Sequence, residues 1–183
     1  MAIETRFSVE DITLLLRESG YWDKRSDTMI PNLSWGLLNH EADFCVINKS
    51  GYLTEVEVKR SFEDLRKDFK KENFHDDDRV RDFYFCLPLS IKEKADKLFE
   101  ENKEKLDKFY GHNFKDEIPA VIYYDEDGRL TRSGWPSRNN TRKLFLEERD
   151  KIGRLMSLRY WDVISKHNTL LLEIKQKENK NRI

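Results

Sequence analysis

No stretch of this chain is both long and apolar. Runs such as residues 12–16 and 83–87 are hydrophobic but short, against the roughly 20 residues that a membrane-spanning helix needs. The first run also lies between charges, which excludes the core of a secretion signal. No membrane association is expected, and a cytoplasmic location is. Cysteine is scarce: Cys45 and Cys86 are the only two. Both sit among apolar residues, so they read as small buried hydrophobes in a reducing compartment, not as a disulfide or a zinc pair. A charge excess is missing as well. Lys and Arg number 34 against 35 Asp and Glu, so net charge argues neither for nor against a polyanionic partner. Internal repeats and domain-splitting linkers are absent too.

What the chain does have is charge of both signs. Charged residues make up 38 %, against about a quarter in an ordinary domain, which predicts a heavily solvated surface around a modest core. Aromatics at 12 % argue against general disorder. A length of 183 residues reads as one domain, large enough to bury a core without staples. Residues 111–183 form its C-terminal elaboration: a strand, a basic loop and a long helix.

Ser8 with Asp11 predicts a capped helix start, and Val9, Ile12, Leu15 and Leu16 continue it at helical spacing until Gly20. Residues 21–39, with Trp22, Pro31 and Trp35, read as irregular, their aromatics packed over the core. Residues 41–47 and the run from 54 through Lys59, up to Ser61, read as strands joined through the turn at 48–51, hence a hairpin. Ser61 and Asp64 predict a second capped helix, its stripe made by Phe62, Leu65 and Phe69. Residues 82–88 read as a strand that is unbroken by charge after Asp82, the pattern of a buried parallel strand. Ser90 with Glu93 predicts a helix through about Tyr110. Residues 119–124 make a strand that turns at 125–128 into a short return segment. Thr141 then opens a helix to about His167, with Leu144, Phe145, Ile152, Leu155, Leu158, Trp161 and Ile164 inward and a frayed end over 175–183.

The chemistry concentrates in the hairpin. Strand alternation points Glu55, Glu57 and Lys59 one way and Val56 and Val58 the other. Pairing brings Asp43 beside Glu57. Charges are costly to bury unless they are paired or bind a metal. Two carboxylates with an amine suit a hard, oxygen-seeking cation such as Mg2+, with Mn2+ as a substitute.

Asp43 followed by Glu57-Val58-Lys59 resembles the Asp…(Asp/Glu)-x-Lys signature of the PD-(D/E)xK nuclease superfamily, through about Pro88. The family pattern's proline before the aspartate is Ala42 here. The resemblance implies an α/β fold of the restriction-endonuclease-like kind, with a mixed central sheet flanked by helices. It also implies Mg2+-dependent hydrolysis of DNA phosphodiester bonds. Asp43, Glu57 and the Val58 carbonyl would hold the cation, and Lys59 would position or deprotonate the attacking water. In related nucleases an acidic residue of the first helix often completes the metal site, which makes Glu10 and Glu18 candidates.

Further candidates are Glu55, for a second cation, Glu41 and His40, each set against the plainer reading of a solvated charge or a loop histidine. His75 reads as structural, and Lys67, Lys70 and Lys71, mixed with Glu63, Asp64 and Asp68, as a soluble face. Residues 129–143 contain no acidic side chain. Arg129, Arg132, Arg138, Arg142 and Lys143 can contact DNA phosphates there, and Trp135 can stack on a base. Two rival functions remain: a nucleic-acid-binding module that does not cut, and a protein–protein adaptor of phage or mobile-element origin. Sheet edges and the long helix permit a homodimer without requiring one.

Overall fold

Helix α1 (Val9–Glu18) starts where its sequence dictates. The Ser8 side chain accepts the Asp11 N–H at 3.1 Å while Asp11 accepts the Ser8 N–H at 2.9 Å, a reciprocal cap. The computed structural model describes residues 6–33, 36–71, 74–75, 77–111, 119–134 and 136–180. Trp35 and Trp135 therefore lie outside the described residues. Two compact units are distinguished, Met1–Leu144 and Phe145–Ile183.

The first unit is built on a six-stranded mixed sheet in simple sequential order. Strands β1 (Thr28–Leu33), β2 (Ala42–Ile47) and β3 (Leu53–Val58) are antiparallel neighbours. The expected hairpin joins β2 to β3, closed by the Asn48 N–H bond to the Tyr52 carbonyl and by Gly51 at φ +85°, where a side chain would be strained. Helix α2 (Phe62–Asp68) crosses to β4 (Val80–Pro88), which runs parallel to β3 as the apolar run predicts. Ser61 caps α2 by accepting the Asp64 N–H at 3.2 Å. β5 (Val121–Tyr124) is parallel to β4, and β6 (Leu130–Ser133) returns antiparallel along it.

Three elements depart from the sequence reading. β1 falls inside the stretch read as irregular. Pro31 lacks an N–H and disguises the strand, yet an edge strand tolerates it because one side of its backbone needs no partner. The helix predicted from Ser90 to Tyr110 is three pieces: a 3-10 turn at Leu89–Ile91, α3 (Lys92–Glu101) and α4 (Lys103–Tyr110). Ser90 makes no cap; Ile91 holds that position without a side-chain bond. The break falls at Asn102, whose side-chain amide bonds the Leu98 carbonyl at 2.8 Å in competition with the helical ladder.

In the second unit, α5 runs Leu146–Lys180, starting later than Thr141 and continuing past His167. Glu148 accepts the Phe145 N–H at 2.7 Å at its start. Phe145, Leu158 and Trp161, expected inward, are exposed. Helical periodicity identifies an apolar stripe, but not what covers it. No helix among the described residues is long and apolar enough to cross a membrane.

The sheet is buried on both faces. On one, Ile12 and Leu16 of α1 meet Phe44, Val46, Val56, Val58, Tyr84, Cys86, Ile122 and Tyr124, with Trp22 packed against them. On the other, Phe83 and Phe85 of β4 meet a ring cluster from Phe69, Phe74, Phe99 and Phe109. Centroid spacings there include Phe85–Phe99 at 5.6 Å and Phe83–Phe109 at 5.1 Å. Cys86 belongs to the first face, whereas Cys45, alternating with Phe44 and Val46, belongs to the second. Both are free, buried thiols on opposite sides of the sheet, as apolar filler should be.

Phe85 has no exposed surface and packs against the rings of Phe69, Phe74, Phe83 and Phe99. Phe85→Ala should destabilise the protein by about 3–5 kcal/mol in denaturant unfolding; a loss below about 1 kcal/mol would show that this ring cluster is not the core.

Candidate functional site

The second sheet face carries the charges. β3 alternates as expected, so Val56 and Val58 enter the α1 face while Glu55 and Glu57 point at α2. Lys59, one residue past the strand, turns the same way, and its Nζ donates to Glu57 Oε1 at 2.6 Å. Antiparallel register pairs Phe44 with Val56, which puts Asp43 opposite Glu57 one step further on. Asp43 Oδ2 accepts the Val58 N–H at 2.8 Å. The Asp43, Glu57 and Lys59 trio therefore gathers at one end of the β2–β3 pair, on one face.

Two residues assigned to other roles join them. Asp68, read as part of a soluble helix face, is buried; its Oδ1 faces Lys59 Nζ at 3.3 Å and pairs with Lys71. Its position gave a signal: with Leu65 and Phe69 it occupies the i, i+3, i+4 stripe that α2 turns inward. His75 is also buried, with its backbone at φ +44°, a conformation costly for a residue with a Cβ. Its Nε2 lies 2.7 Å from Asp68 Oδ2 and its Nδ1 2.9 Å from Glu55 Oε1. His40 Nε2 closes the chain at 2.8 and 2.9 Å from the two Glu55 oxygens. Glu55 is thus no solvated edge charge: it has no exposed surface.

Charge explains the titration of each group. Burial alone would lower the His75 pKa, but hydrogen bonds to Asp68 and Glu55 win and raise it to about 9. His75 is therefore an imidazolium at neutral pH, donating from both nitrogens. Burial works to raise Glu55 and Asp68, yet bonds to His40 and His75 hold Glu55 below the usual carboxylate range, and bonds to His75 and Lys71 with the Lys59 charge do so for Asp68. Glu57 goes the other way: burial raises it, and His75 and Lys59 offset that only in part. Asp43 is raised too, by burial, despite the Val58 N–H. Burial pulls Lys59 down, but Glu57 and Asp68 raise it overall, so it stays an ammonium.

Two groups of three ligand-type side chains bring donor atoms within 4.8 Å of one another among the described residues: His40–Glu55–His75 and Glu57–Asp68–His75. Asp43 is in neither. Glu57 Oε2 is buried and makes no hydrogen bond, and Asp43 Oδ1 makes none to a described residue. An unsatisfied buried carboxylate oxygen is costly, and oxygen donors of this kind fit a hard dication. Asp43, Glu57 and the Val58 carbonyl are thus chemically suited to hold one.

The other candidates lie elsewhere. α1 covers the opposite sheet face, so Glu10 and Glu18 are not brought to this group. Glu10 is exposed, and Glu18 pairs with Arg17 at 2.6 Å and with Lys24. Glu41 is exposed. The basic stretch is dispersed. Arg138 is buried, donating to the Phe109, Asp77 and Val80 carbonyls at 3.1, 2.8 and 3.2 Å. It is a structural tie and not a phosphate contact. Arg142 bonds Asp78 at 3.2 Å, and Lys143 lies over the Tyr52 ring. Tyr52 precedes β3 and Lys59 follows it, so these groups stand roughly 20 Å apart along the strand. Arg132 stacks over Tyr21 and Tyr84 on the α1 face, and Arg129 pairs with Asp125 and Asp127.

Comparison with family models, with curated proteins and with solved structures finds no match to this chain.

A histidine raised from 6.5 to about 9 stabilises the fold fully below the lower value and loses that contribution as pH climbs through the upper one. Wild type should therefore lose stability between pH 6.5 and about 9 relative to a His75→Gln variant, measured by thermal unfolding. Parallel curves for the two proteins would refute the imidazolium assignment.

Proposed function

We propose that this protein is a divalent-metal-dependent deoxyribonuclease of the PD-(D/E)xK kind, on a restriction-endonuclease-like scaffold. The observation that carries the reading is the buried, unpartnered Glu57 Oε2 beside the Lys59 ammonium, with Asp43 on the neighbouring strand. The order of elements adds support: a helix, adjacent antiparallel strands bearing the acids, a capped helix, then a parallel strand.

Asp43, Glu57 and the Val58 carbonyl would hold Mg2+. When bound, the ion acidifies a water and stabilises charge on a phosphoryl oxygen. Lys59 enters already charged, so its task is to orient the water and to stabilise developing negative charge, not to remove a proton. Asp68 fixes the Lys59 ammonium from the far side at 3.3 Å. His75 in turn holds Asp68 at 2.7 Å, so the amine is positioned by an ion pair that is itself anchored in the core. Hydrolysis then places the water's hydroxyl on phosphorus and its proton on the departing oxygen.

The scattered arginines favour no extended, sequence-reading DNA surface. Of the basic stretch, Arg129 lies at the same end of the sheet as Lys59, with β4 between their strands.

Purified protein with Mg2+ should nick or degrade DNA, and Lys59→Ala should lower the rate by about 100-fold or more with an unchanged circular dichroism spectrum. No cleavage of single-stranded, duplex or supercoiled DNA by folded wild type, together with no Mg2+ binding, would sink the enzyme reading.

A further inference from the structure

Glu55 occupies the middle of β3 with no exposed surface, and its partners are two imidazoles. No lysine or arginine bonds it among the described residues. That distinguishes this group from its neighbour, where Glu57 and Asp68 already share the Lys59 ammonium.

From this geometry we infer that His40 Nε2, His75 Nδ1 and the Glu55 carboxylate form a binding site for a borderline transition-metal dication of the Zn2+ class, separate from the Asp43–Glu57 site. The donor set is two imidazole nitrogens and a carboxylate, which suits Zn2+, Co2+ or Ni2+ and not Mg2+. Ligand atoms about 2.0–2.2 Å from a tetrahedral ion stand roughly 3.3–3.6 Å from one another. His40 Nε2 and His75 Nδ1 lie 2.8 and 2.9 Å from Glu55 Oε1, so seating an ion opens each contact by about half an ångström. The ion would take the place of the hydrogens now shared along those contacts, so binding releases protons.

Support for the ligands is already built. Asp68 Oδ2 sits 2.7 Å from His75 Nε2, the carboxylate partner that a metal-bound imidazole ordinarily has on its far nitrogen. The Phe74 and Phe83 rings flank His75, with centroids 5.3 and 4.9 Å away, and hold its ring in place. The loop bearing His40 is tied down next door, where Asn39 N–H donates to Asp77 Oδ2 at 3.1 Å. Asp77 is itself buried and gripped by Arg79. Solvent reaches this group only at His40, whose side chain keeps 19 % exposure while the other two are closed off. Three protein ligands leave a fourth position for water on that open side.

The inference does not depend on the nuclease reading. Full-length protein freed of metal by a chelator is titrated with Co2+ and then with Zn2+, following Co2+ visible absorption and calorimetric stoichiometry. Wild type should bind one equivalent with the intense absorption of four-coordinate Co2+, and Zn2+ should displace it and raise the melting temperature. His40→Ala should weaken Zn2+ binding beyond the roughly 10–100-fold loss that removing a supporting partner brings. His40→Gln, which can still bond Glu55, should bind as weakly as the alanine variant while keeping the wild-type fold. Asp43→Asn should bind Zn2+ like wild type even where it no longer cleaves DNA. The proposal is overturned if wild type binds no stoichiometric equivalent or if His40→Gln binds as tightly as wild type. Loss of binding in Asp43→Asn and not in His40→Gln overturns it equally.

Discussion

Glu55, Glu57 and Asp68 are buried together in one hydrogen-bonded chain, and the rest of the structure depends on how their charge is neutralised. Two like charges about 4 Å apart repel by about 4 kcal/mol even at an effective dielectric of 20. The fold answers with Lys59 and with a histidine held as an imidazolium between Asp68 and Glu55. Counting Asp43, four carboxylates face Lys59, Lys71 and His75 as the charged donors. Burial pushes the pKa values of Glu57 and Asp43 up, where hydrogen bonds and nearby cations pull those of Glu55 and Asp68 down.

That asymmetry divides one polar cluster into two kinds of chemistry. The half around Lys59 has carboxylate oxygens without hydrogen bonds and an ammonium held between two acids. The half around Glu55 has two imidazoles on a fully buried carboxylate, with no lysine or arginine bonded to it among the described residues. Hard oxygen donors and nitrogen-rich donors select different metals. His75 and Asp68 belong to both halves, so a change in the charge of either side is felt by the other. Paired buried charges are not cheap sources of stability.

Much of this was legible in the residues. Ser8 with Asp11 and Ser61 with Asp64 announce helix starts because their capping bonds are local. The hairpin and the crossover to β4 follow from alternation, a glycine turn and an unbroken apolar strand. Alternation also put Asp43, Glu57 and Lys59 on one face. Partners that depend on tertiary contact were not legible. Pro31 hides β1, because only its place at the sheet edge makes the proline harmless. His75 follows α2 by several residues and reaches Glu55 through a left-handed backbone that no spacing rule anticipates. Arg138 looks like a phosphate contact in a basic run, and becomes a tie between carbonyls only when the Phe109 and Val80 backbones converge on it.

The central claim is that Asp43 and Glu57 share one hard cation next to Lys59. A crystal soaked in Mn2+ and measured at the manganese edge tests it most directly. The account predicts an anomalous peak bounded by the side chains of Asp43 and Glu57 and by the Val58 carbonyl. Refined density with both carboxylates ordered and no peak between them, at saturating Mn2+, would contradict it.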